Sequence, residues 1–206
     1  IEGDVVAGWP DRKRLAGEWR KDDEGHVQSV RSNYWDLQGK LTPVDVRYVV
    51  AQMKMPDPVD PSDWSITVQG LVERPLKLSV AKLQQYPSRT VRCVHECAGN
   101  DGINLDYLYK NDGTMPKPPR FSFGNGSGSA LSGGEWTGVP LKTLLEDAGM
   151  KPEAFAVLAM GFDRGVPSEK KREGRNANKE QNFEKCLPMD KAMDEDTIVA
   201  YALNGE

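Results

Sequence analysis

Proline and glycine interrupt this chain before any regular element can grow long. Its 206 residues include 20 Gly and 14 Pro. Proline removes a backbone donor and glycine favours turns, so both mark the ends of elements. Pro56, Pro58 and Pro61 close a short strand over 47–51. Residues 64–70 alternate apolar and polar with period two, as a half-buried strand does, and Gly70 ends the run. A further short strand is expected at 76–79. Ser79 then caps a helix over 80–86 that Pro87 stops. Residues 90–97 read as a strand that runs into the small-residue turn Ala98-Gly99-Asn100. The stretch 111–134, rich in Gly, Pro and Ser, reads as a long loop. Residues 136–140 lead into an amphipathic helix over 141–148, with Gly149 as its C-cap. Residues 155–160 read as a buried strand ending at Gly161-Phe162-Asp163, and 164–185 as a charged loop. A short helix and a strand over 198–203 follow, then an Asn204-Gly205 turn signal. Strands and short helices alternate without a regular βαβ rhythm. The expected class is therefore α+β with mixed sheets, not a doubly wound α/β fold.

The two ends carry their own expectations. Residues 1–40 are polar and charged, with isolated aromatics at Trp9, Trp19, Tyr34 and Trp35, and read as an extended arm. The domain proper is expected over 41–206. The chain starts at Ile1 without a signal-like stretch, so either a leader has been removed, as from a periplasmic or otherwise exported protein, or the sequence begins part-way along the protein. An Asn-Gly turn calls for a second strand after it, so residues 41–206 are expected to be an incomplete domain. Net charge is −4, so no global basic field exists to hold a nucleic-acid backbone. No apolar run approaches the ~18 residues of a membrane span.

Soft ligands are scarce: three Cys and two His in the whole chain. The C-x-x-C-H haem motif, the G-x-x-x-x-G-K-[ST] phosphate loop and the G-x-S-x-G elbow are all absent. Residues two apart on a strand face the same side, which places Cys93, His95 and Cys97 on one face. That is a poor zinc site, because neighbouring strand positions do not close a tetrahedron and a fourth ligand must come from afar. A Cys93–Cys186 disulfide stays open at this level. Cys97 stands apart, at the end of a strand beside Ala98 and Gly99, where a bulky group can approach the backbone. Such a position suits a nucleophile or a single metal bond.

Glu96-Cys97-Ala98-Gly99-Asn100 resembles the cysteine motif of the sulfite oxidase family of molybdenum enzymes. Other segments resemble the family in the right order. Residues 41–52 are similar to its L-T-P-x-D-x-F-F-V-R-x-H segment, and 60–70 to its D-P-x-x-W…V-x-G strand. Pro75–Ser79, Trp136–Leu141, Gly161–Asp163, Pro188–Ala192 and Ala200–Glu206 follow suit. The resemblance implies the sulfite-oxidase-type molybdopterin-binding fold. It also implies molybdenum-molybdopterin as cofactor, with Cys97 the only protein ligand to the metal and the other sulfurs supplied by the pterin dithiolene. Tyr48, Gln52, Asn100 and Asp163 become candidates for the cofactor shell. The implied activity is oxidation of a sulfur compound by oxygen-atom transfer. With no haem motif in the chain, electrons would pass to a separate cytochrome c or other haem acceptor. A homodimer or hetero-oligomer would form through a further C-terminal domain.

Three positions depart from the family pattern. Val50 stands where an arginine holds an oxyanion, Gln52 where a histidine contacts the cofactor, and Asp101 where another arginine often follows the motif. A small dianion needs cationic donors, and bidentate Arg is the best of them. Three readings stay open: a neutral or carrier-bound sulfur substrate; a sulfite dehydrogenase whose cations are Arg47, Arg92, Arg164 or residues of a further C-terminal half; and a non-catalytic subunit that retains the fold. The basic run 169–175 reads as a solvated loop or a docking patch, and His26 and His95 receive no role.

Overall fold

The computed structural model describes residues 20–21, 27–30, 32, 37, 39–51, 56, 59–97, 100, 130–166 and 179–206. The chain divides into two compact units. One gathers Ile1–Val5, Pro56–Arg92 and Glu135–Glu206; the other gathers Val6–Met55 and Cys93–Gly134.

In the first unit, β4 (Ser65–Val68) pairs antiparallel with β5 (Leu76–Ser79). The expected cap follows: Ser79 Oγ accepts from Lys82 N–H at 3.2 Å and opens a helix of one turn, Val80–Leu83. A three-stranded sheet runs in the order β10 (Ile198–Leu203), β7 (Leu131–Pro140), β6 (Arg89–Glu96). The core of this unit is Leu78, Leu83, Val139 and Leu144, with Trp64, Ile66, Tyr86, Val199 and Tyr201 packed on it. The apolar stripe of the helix Leu141–Asp147 supplies Leu144 and Leu145. That helix ends in a Schellman arrangement, with Gly149 N–H on Glu146 C=O and Met150 N–H on Leu145 C=O, and Gly149 takes a φ of 68°. Gly138 meets β10 so closely that a Cβ there would run into Val199 O and Ala200 Cα.

Two stretches differ from the expectation. Strand β7 begins at Leu131, so the end of the stretch read as a loop is strand; its small residues Gly133 and Gly134 sit inside the ladder. Residues 155–160 are not buried. They belong to β8 (Ala156–Gly165), which pairs only with β9 (Gln181–Pro188) among the described residues. A two-stranded sheet leaves one face uncovered, and Phe155, Leu158, Met160 and Phe162 are all exposed. The charged stretch from 164 therefore begins and ends in strand, while 167–178 lie outside the described residues.

In the second unit, β1 (Arg20–Lys21), β2 (Val27–Val30) and β3 (Val49–Val50) form an antiparallel sheet. Part of the stretch read as an arm thus pairs with β3. A 3-10 turn, Val44–Val46, precedes β3 and buries Val46. Ser32 Oγ donates to Val46 C=O at 2.7 Å, tying the turn to the chain before it.

Candidate functional site

Cys97 lies in the second unit, immediately after β6, and is half-buried. Its backbone continues the strand by one bond: Cys97 N–H donates to Ala130 C=O at 2.9 Å. The chain then turns, and Asn100 N–H donates back to Cys97 C=O at 2.8 Å. The Asn100 side chain is 2% exposed and is committed to that turn. Its Nδ2 donates to Glu96 Oε1 at 2.8 Å, and its Oδ1 accepts from Ala130 N–H at 2.7 Å. The cysteine is thereby held from both sides, by Ala130 through its peptide and by Glu96 through Asn100. Asn100, a candidate for the cofactor shell, holds the backbone around Cys97 with its amide.

A second set of bonds anchors the start of β7. Gly133 C=O accepts from Thr42 N–H at 3.0 Å and from Arg47 Nη1 at 3.2 Å, and Gly133 N–H donates to Thr42 Oγ1 at 3.0 Å. Thr42 and Arg47 are both buried. Burial pulls the Arg47 guanidinium below its ordinary value, and the partial negative character of Tyr48 and Cys93 opposes that. The segment from Leu41 onward therefore docks on the strand that holds the cysteine turn.

Tyr48 packs on His95. Their rings stack with centroids 5.6 Å apart and planes 26° apart, and Tyr48 Oη lies 3.3 Å from His95 Nδ1. His95 is exposed overall, yet one side of its ring is covered. Desolvation first, and the Arg47 charge second, hold the imidazole below its ordinary value.

The remaining predicted residues fall elsewhere. Asp163 sits in the first unit, half-buried on β8, where the pairing with β9 shifts register between Met160 and Arg164. Asn182 Nδ2 holds Gly161 C=O there at 3.0 Å. Gln52 and Asp101 lie outside the described residues, as do His26 and the basic run 169–175. Val50, at the position of the family arginine, is 42% exposed on β3. Of the cations that could replace it, Arg92 pairs with Glu135, Arg164 with Glu180, and buried Arg47 donates to Gly133 C=O. All three cysteines are free thiols, so no Cys93–Cys186 bond is formed. Among the described residues no three His, Cys, Asp or Glu gather to hold a metal. Sequence reasoning missed Glu96, Ala130, Gly133 and the Tyr48–His95 pair. Only Glu96 had a local signal, four residues before Asn100 across a tight turn.

This fold of mixed sheets and short helices is similar to that of a solved structure, the sulfane dehydrogenase SoxCD from Paracoccus pantotrophus. The match has a TM-score of 0.67 at 24% identity and covers 99% of this chain and 47% of that one. The oxidoreductase molybdopterin binding domain model matches residues 52–206. The chain belongs to that family, and its domain is that of a molybdopterin-dependent oxidoreductase. Relatives include the NADH nitrate reductase of Solanum lycopersicum, 31% identical over 82% of this chain and 17% of its own length. The NADH nitrate reductase of Ulva prolifera is 28% identical over 96% of this chain and 20% of its length. The chain thus spans a fifth or less of these relatives.

Proposed function

We propose that Cys97 is the one protein ligand to molybdenum in this domain, and that the domain oxidises a neutral or carrier-bound sulfur compound by oxygen-atom transfer. The observation that carries this reading is the half-buried Cys97 thiol at the end of β6, on a turn braced by Asn100 and Ala130. A metal held by protein side chains alone takes three or four of them. The donor set around Cys97 suits a group that brings its own sulfurs and asks for one thiolate. Bound there, the molybdenum cofactor would supply two-electron oxygen-atom chemistry. The chain's part is to present Cys97 Sγ in a fixed place and to receive the substrate. Gln52 and Asp163 are the proposed contacts to the pterin.

The substrate class follows from charge. Val50 replaces the arginine that would hold an oxyanion, Arg92 and Arg164 are engaged by Glu135 and Glu180, and buried Arg47 donates to Gly133 C=O. Desolvating a small dianion with one cation fewer is costly, which favours a neutral sulfur group or one tethered to a carrier. Water would supply the oxygen, its two protons passing to solvent, and two electrons would leave to a separate cytochrome c or other haem acceptor. The periplasm, where such acceptors are at hand, is the proposed compartment. Assembly as a homodimer or hetero-oligomer through a further domain completes the reading.

A second reading, nitrate reduction, is favoured by the nitrate reductases among the relatives. The two differ in the direction of oxygen transfer. Purified protein carrying molybdenum should oxidise carrier-bound sulfane sulfur with an artificial acceptor and leave sulfite and nitrate nearly untouched. Saturable turnover of nitrate with a reduced dye would favour the second reading, and of micromolar sulfite a sulfite dehydrogenase. A wild type that folds yet never takes up molybdenum when cofactor is supplied would leave the non-catalytic subunit.

A further inference from the structure

Three hydrogen bonds fix the register of β6 on β7. Thr90 Oγ1 meets Thr137 Oγ1 at 2.8 Å, Arg92 Nε donates to Glu135 Oε1 at 2.8 Å, and Cys97 N–H donates to Ala130 C=O at 2.9 Å. Each step forward on β6 is matched by one step back on β7. The strands are therefore antiparallel in one register, and Ser132 is the diagonal neighbour of Cys97. Residues opposite one another in such a ladder share a face, as do residues two apart on a strand. Cys97, Ala130, Ser132 and Gly134 thus belong to one face of the sheet. Diagonal neighbours stand roughly 7–8 Å apart, a gap that a bulky group bonded to the cysteine sulfur can span.

Ser132 is fully buried, and its hydroxyl has no partner among the described residues. An unpaired buried hydroxyl is a standing cost to the fold. Its neighbours on this face, Ala130 and Gly134, are small and apolar, so the strand itself does not call for a hydroxyl here. We propose that Ser132 is a cofactor-binding residue whose hydroxyl donates to a metal-bound sulfur at Cys97. This deepens the function proposed above and rests on the ligation of molybdenum by Cys97. A serine O–H is a donor, and a metal-bound thiolate is an electron-rich acceptor. A hydrogen bond to such a sulfur draws electron density away from the metal, which raises its reduction potential, as at iron–sulfur clusters.

Ser132→Ala tests this, because the variant removes the hydroxyl and adds no bulk. In the cofactor-free protein its urea midpoint is expected at or above that of the wild type. In the molybdenum-loaded protein the order should reverse, since only the wild type gains a bond on loading. Loaded Ser132→Ala should release molybdenum about threefold to tenfold faster, the value of one hydrogen bond, and the reduction potential of the metal should fall. A variant stabilised equally with and without cofactor overturns the proposal. So does one destabilised equally in both forms, because the hydroxyl would then have a partner in the protein or in a buried water. An unchanged potential also overturns it, by placing the bond away from the sulfurs. Failure of the molybdenum reading shows instead as a sulfur shell at the metal that Cys97→Ser leaves unchanged.

Discussion

At the scale of single residues, the cysteine turn depends more on Asn100 than on anything in the cysteine's own side chain. Its amide satisfies the Ala130 N–H and a Glu96 oxygen inside a site that is 2% exposed. Asn100→Ala would leave a buried donor without a partner, which costs about 1–3 kcal/mol beyond the lost bonds. Urea denaturation should show a loss of about 2–4 kcal/mol, and a change below 0.5 kcal/mol would contradict the bracing role. Tyr86 offers a pH test. Its hydroxyl donates to Asp147 Oδ2, and that bond raises the phenol above its ordinary value. A group whose folded pKa is raised contributes stability that is fully present below its unfolded pKa, about 10, and lost as pH rises through the folded one. The difference in urea midpoint between wild type and Tyr86→Phe should therefore be constant from pH 7 to 9 and shrink above pH 10. A difference that grows with alkalinity would contradict the assignment.

At the scale of elements, the cysteine turn is anchored where β7 begins. Ala130, just before the strand, holds Cys97 and Asn100, and Gly133 holds Thr42 and Arg47. Ser132 lies between the two anchors, fully buried, with no partner for its hydroxyl among the described residues. An unsatisfied buried hydroxyl is a cost, so Ser132→Ala in the cofactor-free protein should be neutral or stabilise by up to about 1 kcal/mol. A loss above 1 kcal/mol in thermal or urea unfolding would mean that the hydroxyl has a partner. Gly138→Ala should do the opposite, because a Cβ there collides with the β10 backbone rather than with a movable side chain. Much of this was legible in the residues. The Ser79 cap, the Gly149 stop and the Asn204-Gly205 turn all carry local chemistry, and each is where the pattern puts it; Asn204 Oδ1 also takes the Glu135 N–H at 3.0 Å. The start of β7 was not legible, since two glycines in a row have no side chains to declare a strand. Nor was the exposure of β8. A run of apolar residues states that a face is apolar, and only the neighbouring elements decide whether it is covered.

At the scale of the whole molecule, the family was legible because its motifs are spaced along most of the chain, and the model match over residues 52–206 agrees. The substrate was less legible, because it depends on charges brought together from distant segments. Arg92 and Arg164 read as candidate cations in one dimension; in three they already face Glu135 and Glu180. Restoring an arginine tests the charge argument. Val50→Arg in the molybdenum-loaded protein should lower the KM for sulfite at least tenfold at low salt, and the gain should fade as salt screens the site. An unchanged KM would place the substrate away from β3.

The ligation of molybdenum by Cys97 underlies all of these expectations. X-ray absorption at the molybdenum edge reads it directly, comparing the wild type with Cys97→Ser after both are expressed with cofactor supply. The expected result is one fewer sulfur neighbour in the serine variant, with the dithiolene sulfurs retained. An identical sulfur shell in the two proteins would contradict the assignment of Cys97.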